Sequence, residues 1–213
     1  MDLFVDTSRK GISMGLSDSA SGLYQETVDA AARGETASAI LDELLTRVGA
    51  KLDDIKRVLV TVGPGSFSGL RTGVAFCQGL CFSGKRELYG VSTLQALECF
   101  GSPCASADVA VVVKARPGYW YLRQTANGKA EESFIETAEV VERLKEAPAK
   151  TVVIDEAASA DETLKNLFAE IGATTVLDTG KPLNQWAPLF QSVKASLIQE
   201  ANYIQPSYFE KLK

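Results

Sequence analysis

A chain of 213 residues with 22 Lys+Arg against 27 Asp+Glu carries a formal charge of −5, and 46% hydrophobic with 23% charged residues is an ordinary globular composition. The absence of any histidine removes a Ser-His-Asp triad, a Cys-His dyad, an H-E-x-x-H zinc site and all imidazole acid–base chemistry. The negative balance argues against unaided binding to phosphate backbones, and the length suits one large domain or two small ones.

Leu3–Val5 reads as strand, followed by a polar tip at Asp6-Thr7-Ser8-Arg9-Lys10-Gly11 and an alternating strand at Ile12–Leu16. A third strand is expected at Leu23–Val28. Helix follows at Thr36–Val48, where Ile40, Leu41, Leu44, Leu45 and Val48 form a 3.6-residue stripe and Gly49 is a natural stop. Arg57–Val62 is a β-branched buried strand, Gly63–Gly69 a loop and Leu70–Ser83 a strongly apolar helix. Leu88–Val91 and Thr93–Phe100 add a strand and a helix.

The second half repeats this plan. Val109–Val113, a tip at Lys114–Gly118 and Tyr119–Gln124 make a hairpin, with a third strand at Glu132–Ile135 and a helix at Thr137–Lys145. Strands at Thr151–Ile154 and Thr174–Leu177 alternate with helices at Asp161–Ile171 and Asn184–Gln199. Gly, Ser and Pro gather at Phe100–Asp108, which marks a linker between domains 1–102 and 103–213. The divergent second domain ends in a tail, Asn202–Lys213, that can pack back on the first. The order β-β-β-α-β-α-β-α, twice, predicts an α/β protein of two ribonuclease-H-like domains, the actin-like group. Each would hold a mixed sheet with helices on both faces.

Cys77, Cys81, Cys99 and Cys104 include no C-x-x-C pair, so neither a zinc knuckle nor a disulfide framework is expected. The start MDLFVDTSRK lacks a basic n-region, and apolar runs such as Val109–Val113 fall far short of the roughly 18 residues a membrane span needs. The expectation is a reduced, cytoplasmic protein that does not enter membranes.

The densest motif is Gly63-Pro64-Gly65-Ser66-Phe67-Ser68-Gly69-Leu70-Arg71-Thr72-Gly73. It is not a Walker loop, and Ser68 stands where G-x-G-x-x-G needs its third glycine. Two readings stay open. Gly63, Gly65 and Ser66 can present N–H and hydroxyl groups to a phosphate at a helix start, or the glycines only permit a tight strand-to-helix turn. Asp6, Thr7 and Ser8 carry the same ambiguity between a phosphate or metal contact and a hairpin cap.

VTVGPGSFSGLRTG closely resembles the TsaB (YeaZ) family signature G-P-G-S-F-T-G-L-R-x-G. The opening LFVDTS, the segment GVSTLQAL and the closing Pro206-Ser207-Tyr208-Phe209 are similar to further landmarks of that family, in the same order. The resemblance implies a two-domain actin-like protein acting in tRNA modification as partner of TsaD. That catalytic subunit moves a threonylcarbamoyl group onto the adenosine beside the anticodon. A TsaE-type ATPase joins the assembly and TsaC-type enzymes make the adenylate substrate.

The chain departs from catalytic relatives in ways that bear on chemistry. Their metal-holding histidine pair is missing, so no metal site, catalytic residue or peptidase activity is expected. Lys114 replaces the second-tip carboxylate and cannot ligate a hard cation. A family histidine is also missing from 34–41. No cofactor is expected in this chain, ATP, ADP or Mg²⁺ being confined to a complex interface, and tRNA is met only indirectly. The alternative is a free-standing ATPase or kinase on the same fold.

Leu70–Ser83 is apolar nearly all round and needs cover on its outer side. Gly73 and Cys77 form a small-residue ridge that would let another helix approach, with Ile40, Leu44, Val48, Val74 and Leu80 completing a partner interface. Alternatively the ridge packs on the chain's own sheet. By the first reading the chain pairs with itself when alone and exchanges to a heterodimer with TsaD.

Overall fold

The first strand is apolar or buried at every position because both of its faces are covered: β1 (Asp2–Asp6) is buried throughout. The structure is a computed structural model, and it describes residues 1–29, 36–101, 108–126, 129–179 and 182–204. β1 pairs antiparallel with β2 (Ile12–Asp18), which pairs antiparallel with β3 (Leu23–Asp29). On its other side β1 runs parallel to β4 (Arg57–Gly63), and β4 parallel to β5 (Glu87–Ser92), giving the order β3-β2-β1-β4-β5.

One face of this sheet is closed by α1 (Ala37–Val48) and α2 (Phe67–Cys81). Ile40, Leu41, Leu44 and Leu45 from α1 and Cys77 and Cys81 from α2 share a core with Leu3, Val5, Met14, Leu16, Val58 and Val60. On the other face a 3₁₀ helix at Leu183–Gln191 lays Phe190 against Phe4 and Tyr89, with ring centroids 5.7 and 4.9 Å apart. The Arg57 guanidinium lies 4.3 Å over the Phe190 ring and holds Asp2 through two bonds of 2.8 and 2.6 Å. Tyr24 donates to Glu26, and both accept from the Leu183 N–H, at 2.8 and 3.1 Å, tying the start of this 3₁₀ helix to β3.

The second sheet repeats the first. β6 (Val109–Arg116), β7 (Tyr119–Ala126) and β8 (Lys129–Glu136) are antiparallel, and β9 (Thr151–Ile154) and β10 (Thr174–Leu177) extend it in parallel, in the order β10-β9-β6-β7-β8. α4 (Thr137–Glu146), α5 (Glu156–Ala160) and α6 (Glu162–Glu170) close one face through Val140, Leu144, Ala158, Leu164, Leu167 and Phe168. Leu94 and Leu97 of α3 (Thr93–Gly101) close the other, on Val109, Val111, Tyr121 and Val153. Three antiparallel strands flanked by two parallel ones, with helices on both faces, is the ribonuclease-H-like plan, and both sheets have it.

Three expectations are corrected. The compact units are Met1–Thr93 with Pro182–Tyr203, and Leu94–Lys181 with Ile204–Lys213, so the first boundary precedes α3 instead of following it. The reason is the Leu94 and Leu97 packing just described. The expected helix at Asn184–Gln199 is a 3₁₀ helix ending at Gln191, with Pro188 inside it lacking the N–H an α-helix would use. Cys99 is disulfide-bonded, where no disulfide was expected, whereas Cys77 and Cys81 are free and buried. Cys104, most of the expected linker and the closing Pro206–Phe209 motif lie outside the described residues. Among the described residues no helix is long and apolar enough to cross a membrane.

Candidate functional site: the glycine loop, the hairpin tip and helix α2

The β1–β2 tip and the loop entering α2 are folded onto each other. Asp6 is 4% exposed, and its Oδ1 accepts from Ser8 N at 2.9 Å, Ser8 Oγ at 2.6 Å and Thr61 Oγ1 at 2.8 Å. Arg9 Nε stands 3.7 Å from the other carboxylate oxygen. Ser8 in turn accepts, through its carbonyl, the Ser66 N–H at 2.7 Å. Ser66 caps α2, its Oγ accepting from Gly69 N at 3.3 Å and its carbonyl from Leu70 N at 2.9 Å.

The glycines make this contact geometrically feasible. A Cβ on Gly65 would run into the Ser8 carbonyl oxygen, one on Gly69 into the Thr7 carbonyl oxygen, and one on Gly73 into Thr7 Oγ1. Gly69 and Gly73, four apart, line one stripe of the helix, Gly65 lies just before its N-cap, and the tip rests against all three. Gly63, at φ +115, is similarly filled by the Asn202 carbonyl, and Asn202 N donates to Val62 O at 2.6 Å.

These groups do not fit a magnesium–phosphate site. The Asp6 oxygen that would face a cation already takes three donors, and the Ser66 N–H that would face an anion is spent on Ser8. At the second tip, Lys114 N donates to Asp155 at 2.8 Å and its ammonium lies 4.6 Å over the Trp120 ring. Beside it the Arg116 guanidinium covers Tyr119 at 4.2 Å, and Tyr119 stacks on Phe134 at 5.0 Å. Trp120 and Tyr121 are buried in strand packing. No group of three or more His, Cys, Asp or Glu side chains is placed to hold a metal among the described residues.

The expected partner ridge is corrected. Gly73, Val74 and Cys77 face inward, Gly73 onto Thr7 and Cys77 into the core beneath α1. Ile40 and Leu44 are buried with them, while Val48 and Leu80 are partly buried at the margin of the same core. Burial pushes the Cys77 thiol well above its ordinary value, with the neighbouring Cys81 adding to the shift. The reason is that an all-round apolar sequence hid the smaller residues: the outer stripe of α2 holds Ser68, Arg71, Ala75 and Gly79, all exposed, and ends at Phe82, 80% exposed.

By fold and loop geometry this is an α/β protein with two ribonuclease-H-like units, whose nucleotide-loop counterpart in the first is closed by self-contact. A family model described as TsaD, tRNA N6-adenosine threonylcarbamoyltransferase, matches residues 29–202, so the chain belongs to that family. Its resemblance lies with the TsaB members. The tRNA threonylcarbamoyladenosine biosynthesis protein TsaB of Escherichia coli (strain K12) is 29% identical over 123 residues, 54% of this chain and 53% of that protein. A tRNA N6-adenosine threonylcarbamoyltransferase of Clostridium perfringens (strain SM101 / Type A) is 34% identical over 61 residues, 29% of this chain and 18% of that one. The chain's matches thus span about half the length of the curated TsaB relatives. A solved structure from Pseudomonas aeruginosa, described as an uncharacterized protein with similarity to peptidase YEAZ, superposes with TM-score 0.69 at 21% identity. It covers 96% of this chain and 99% of its own, and shares the fold.

Proposed function

We propose that the chain is a non-catalytic subunit in the formation of N6-threonylcarbamoyladenosine in tRNA, binding and supporting a TsaD-type catalytic subunit. The observation that carries this reading is the closed glycine loop: the Ser66 N–H at the start of α2 is spent on the Ser8 carbonyl of the hairpin tip, and Asp6 Oδ1 already accepts from Ser8 and Thr61. Such a chain is suited to holding a surface rigid rather than turning over substrate. The absence of histidine supports the same conclusion and leaves peptidase chemistry without a histidine base or a histidine-held metal.

In this reading the protein works in the cytoplasm, meets tRNA only through its catalytic partner, and shares the assembly with a TsaE-type ATPase. Alone, it pairs with itself. The test is co-purification of tagged full-length chain with the TsaD-type protein of the same organism. A stable heteromer is expected; failure of the two to associate at any stoichiometry, both being folded, would remove the proposal's basis.

A further inference from the structure

Pro182–Tyr203 returns to the first unit after the second sheet is complete, and its two parts are held very differently. The 3₁₀ helix is deeply seated, with Leu183, Trp186 and Leu189 at most 1% exposed. Beyond Gln191 the chain forms neither helix nor strand, and every residue from Lys194 to Ile198 is exposed. This stretch runs along the outer side of β5 and the end of β4 on two backbone bonds. Ser196 N donates to Leu88 O at 2.8 Å and Asn202 N to Val62 O at 2.6 Å. Gln78 Nε2 adds one bond to Gln199 O at 3.2 Å. Cavities of about 300 and 190 Å³ undercut the stretch, the first beside Arg71, Ala75 and Gln78 and the second beside Leu197. A cover held by so few bonds opens at far lower cost than the sheet beneath it.

The end of this stretch meets the glycine loop. The Asn202 carbonyl fills the space that a Cβ on Gly63 would need, and Tyr203 stacks on Phe67, the first residue of α2, with centroids 4.9 Å apart. The loop is thus held from two sides, by the hairpin tip at Ser66, Gly69 and Gly73 and by the returning chain at Gly63 and Phe67. The next residue is Ile204, whose side chain packs with Leu94, Leu97 and Val109 in the core of the second unit. Its φ is +57, and among the described residues no other non-glycine residue has a positive φ. A branched Cβ makes this backbone an outlier that persists only where the surroundings over-determine it. Here the constraint comes from both directions along the chain, Tyr203 being fixed to the loop and Ile204 being fixed in its core.

We propose that Ser192–Tyr203 is a releasable strap, strained at Ile204, that pins the glycine loop and covers the edge of β5 when docked and frees both when it lifts, the 3₁₀ helix staying seated. Release leaves the Leu88 and Val62 carbonyls to water, which replaces the lost donors. Strain at Ile204 opposes docking, so the strap sits closer to balance than an unstrained one would. Because Tyr203 is joined directly to Ile204, a change in the packing around that side chain bears on the loop. The strap therefore couples the divergent second unit to the glycine loop. It needs no partner protein, so its test stands apart from that of the proposed function.

The test is residue-resolved hydrogen exchange of the full chain by NMR. The Ser196 and Asn202 amides are expected to exchange together, roughly a hundredfold or more faster than those of Leu59 and Val60 inside the sheet. Equal rates would make the strap one cooperative unit with the sheet and overturn the proposal. Ile204→Gly and Ile204→Ala both remove the side chain, but only glycine relieves the positive φ. The strap amides should be roughly fivefold better protected in the glycine variant, and equal or better protection in the alanine variant would overturn the strained joint. Tyr203→Ala, checked for native circular dichroism, should speed exchange of the Ser66 and Leu70 amides by about three- to tenfold. Leu41 and Leu44 in α1 should keep their rates, and Tyr203→Phe, which retains the ring, should restore the wild-type loop. Unchanged loop amides, or an acceleration shared by α1, would overturn the coupling.

Discussion

Replacing Gly73 with Ala should destabilise the protein although it favours the helix. In a helix interior, Gly→Ala is worth about 1 kcal/mol in propensity. At Gly73 the added methyl collides with Thr7 Oγ1 and reaches Thr7 Cβ at 3.0 Å, and Thr7 is 2% exposed and packed in place. Overfilling a packed site costs about 1–3 kcal/mol, so after the propensity gain the net loss should reach up to about 2 kcal/mol. Gly79→Ala, on the same helix but facing open space, is the built-in control and should instead gain about 0.5–1 kcal/mol. Thr7→Ala removes the colliding Oγ1 and Cγ2, so it should rescue Gly73→Ala with a coupling of about 1 kcal/mol or more. It should not rescue Gly69→Ala, whose methyl meets the Thr7 backbone carbonyl. Urea denaturation at matched, low protein concentration reads the four single and two double variants through their midpoints. If Gly73→Ala proves as stable as Gly79→Ala, or the double variant is merely additive, the account of the glycine stripe is wrong.

Arg86→Ala should cost about 2–3 kcal/mol, because its buried guanidinium donates to Leu52 O, Leu80 O and Asp53, and its removal takes these charged donors away from two carbonyls, Leu52 O keeping only the Ile55 N–H; urea midpoints check this. Cys77 should resist iodoacetamide in the native state and react on unfolding, since burial disfavours its thiolate; labelling followed by mass spectrometry tells, and fast native labelling would contradict the packing. Burial raises the Tyr24 hydroxyl above its ordinary value of about 10, with Glu26 adding to the shift. The unfolded chain therefore loses that proton first, and this contribution is complete below pH about 10 and falls as pH rises beyond it. Tyr24→Phe should lower the melting temperature near neutrality and flatten its alkaline decline; an unchanged slope would show that Tyr24 carries none of it.

Strands and the first helices were legible because their patterns are strong. Val58–Val60 is β-branched or apolar and buried on both faces, and Ile40, Leu41, Leu44 and Leu45 keep a helical stripe through a twelve-residue helix. The 3₁₀ helix was misread because Trp186, Leu189 and Phe190 keep α-like spacing while Pro188 withholds the donor. The short α5 was missed although Asp155 is its N-cap, accepting from Ala158 N at 2.8 Å, because five residues are too few to show a period. At the site, the glycines were read correctly as backbone-approach positions. The approaching group was not legible, since only the fold reveals that Thr7 and Ser8 are the neighbours. The direction of the Gly73–Cys77 ridge was equally hidden, because one helix's sequence does not say which of two apolar faces meets its own sheet.

The central claim is that this chain supports catalysis without performing it. The most direct measurement is reconstitution of adenosine modification on tRNA with ATP, threonine, bicarbonate, and TsaC-, TsaD- and TsaE-type proteins, with and without this chain. Modification is predicted to need both the TsaD-type protein and this chain, and to be absent when this chain replaces the TsaD-type protein. Modification by this chain in place of the TsaD-type protein, or full modification when it is left out, would contradict the account.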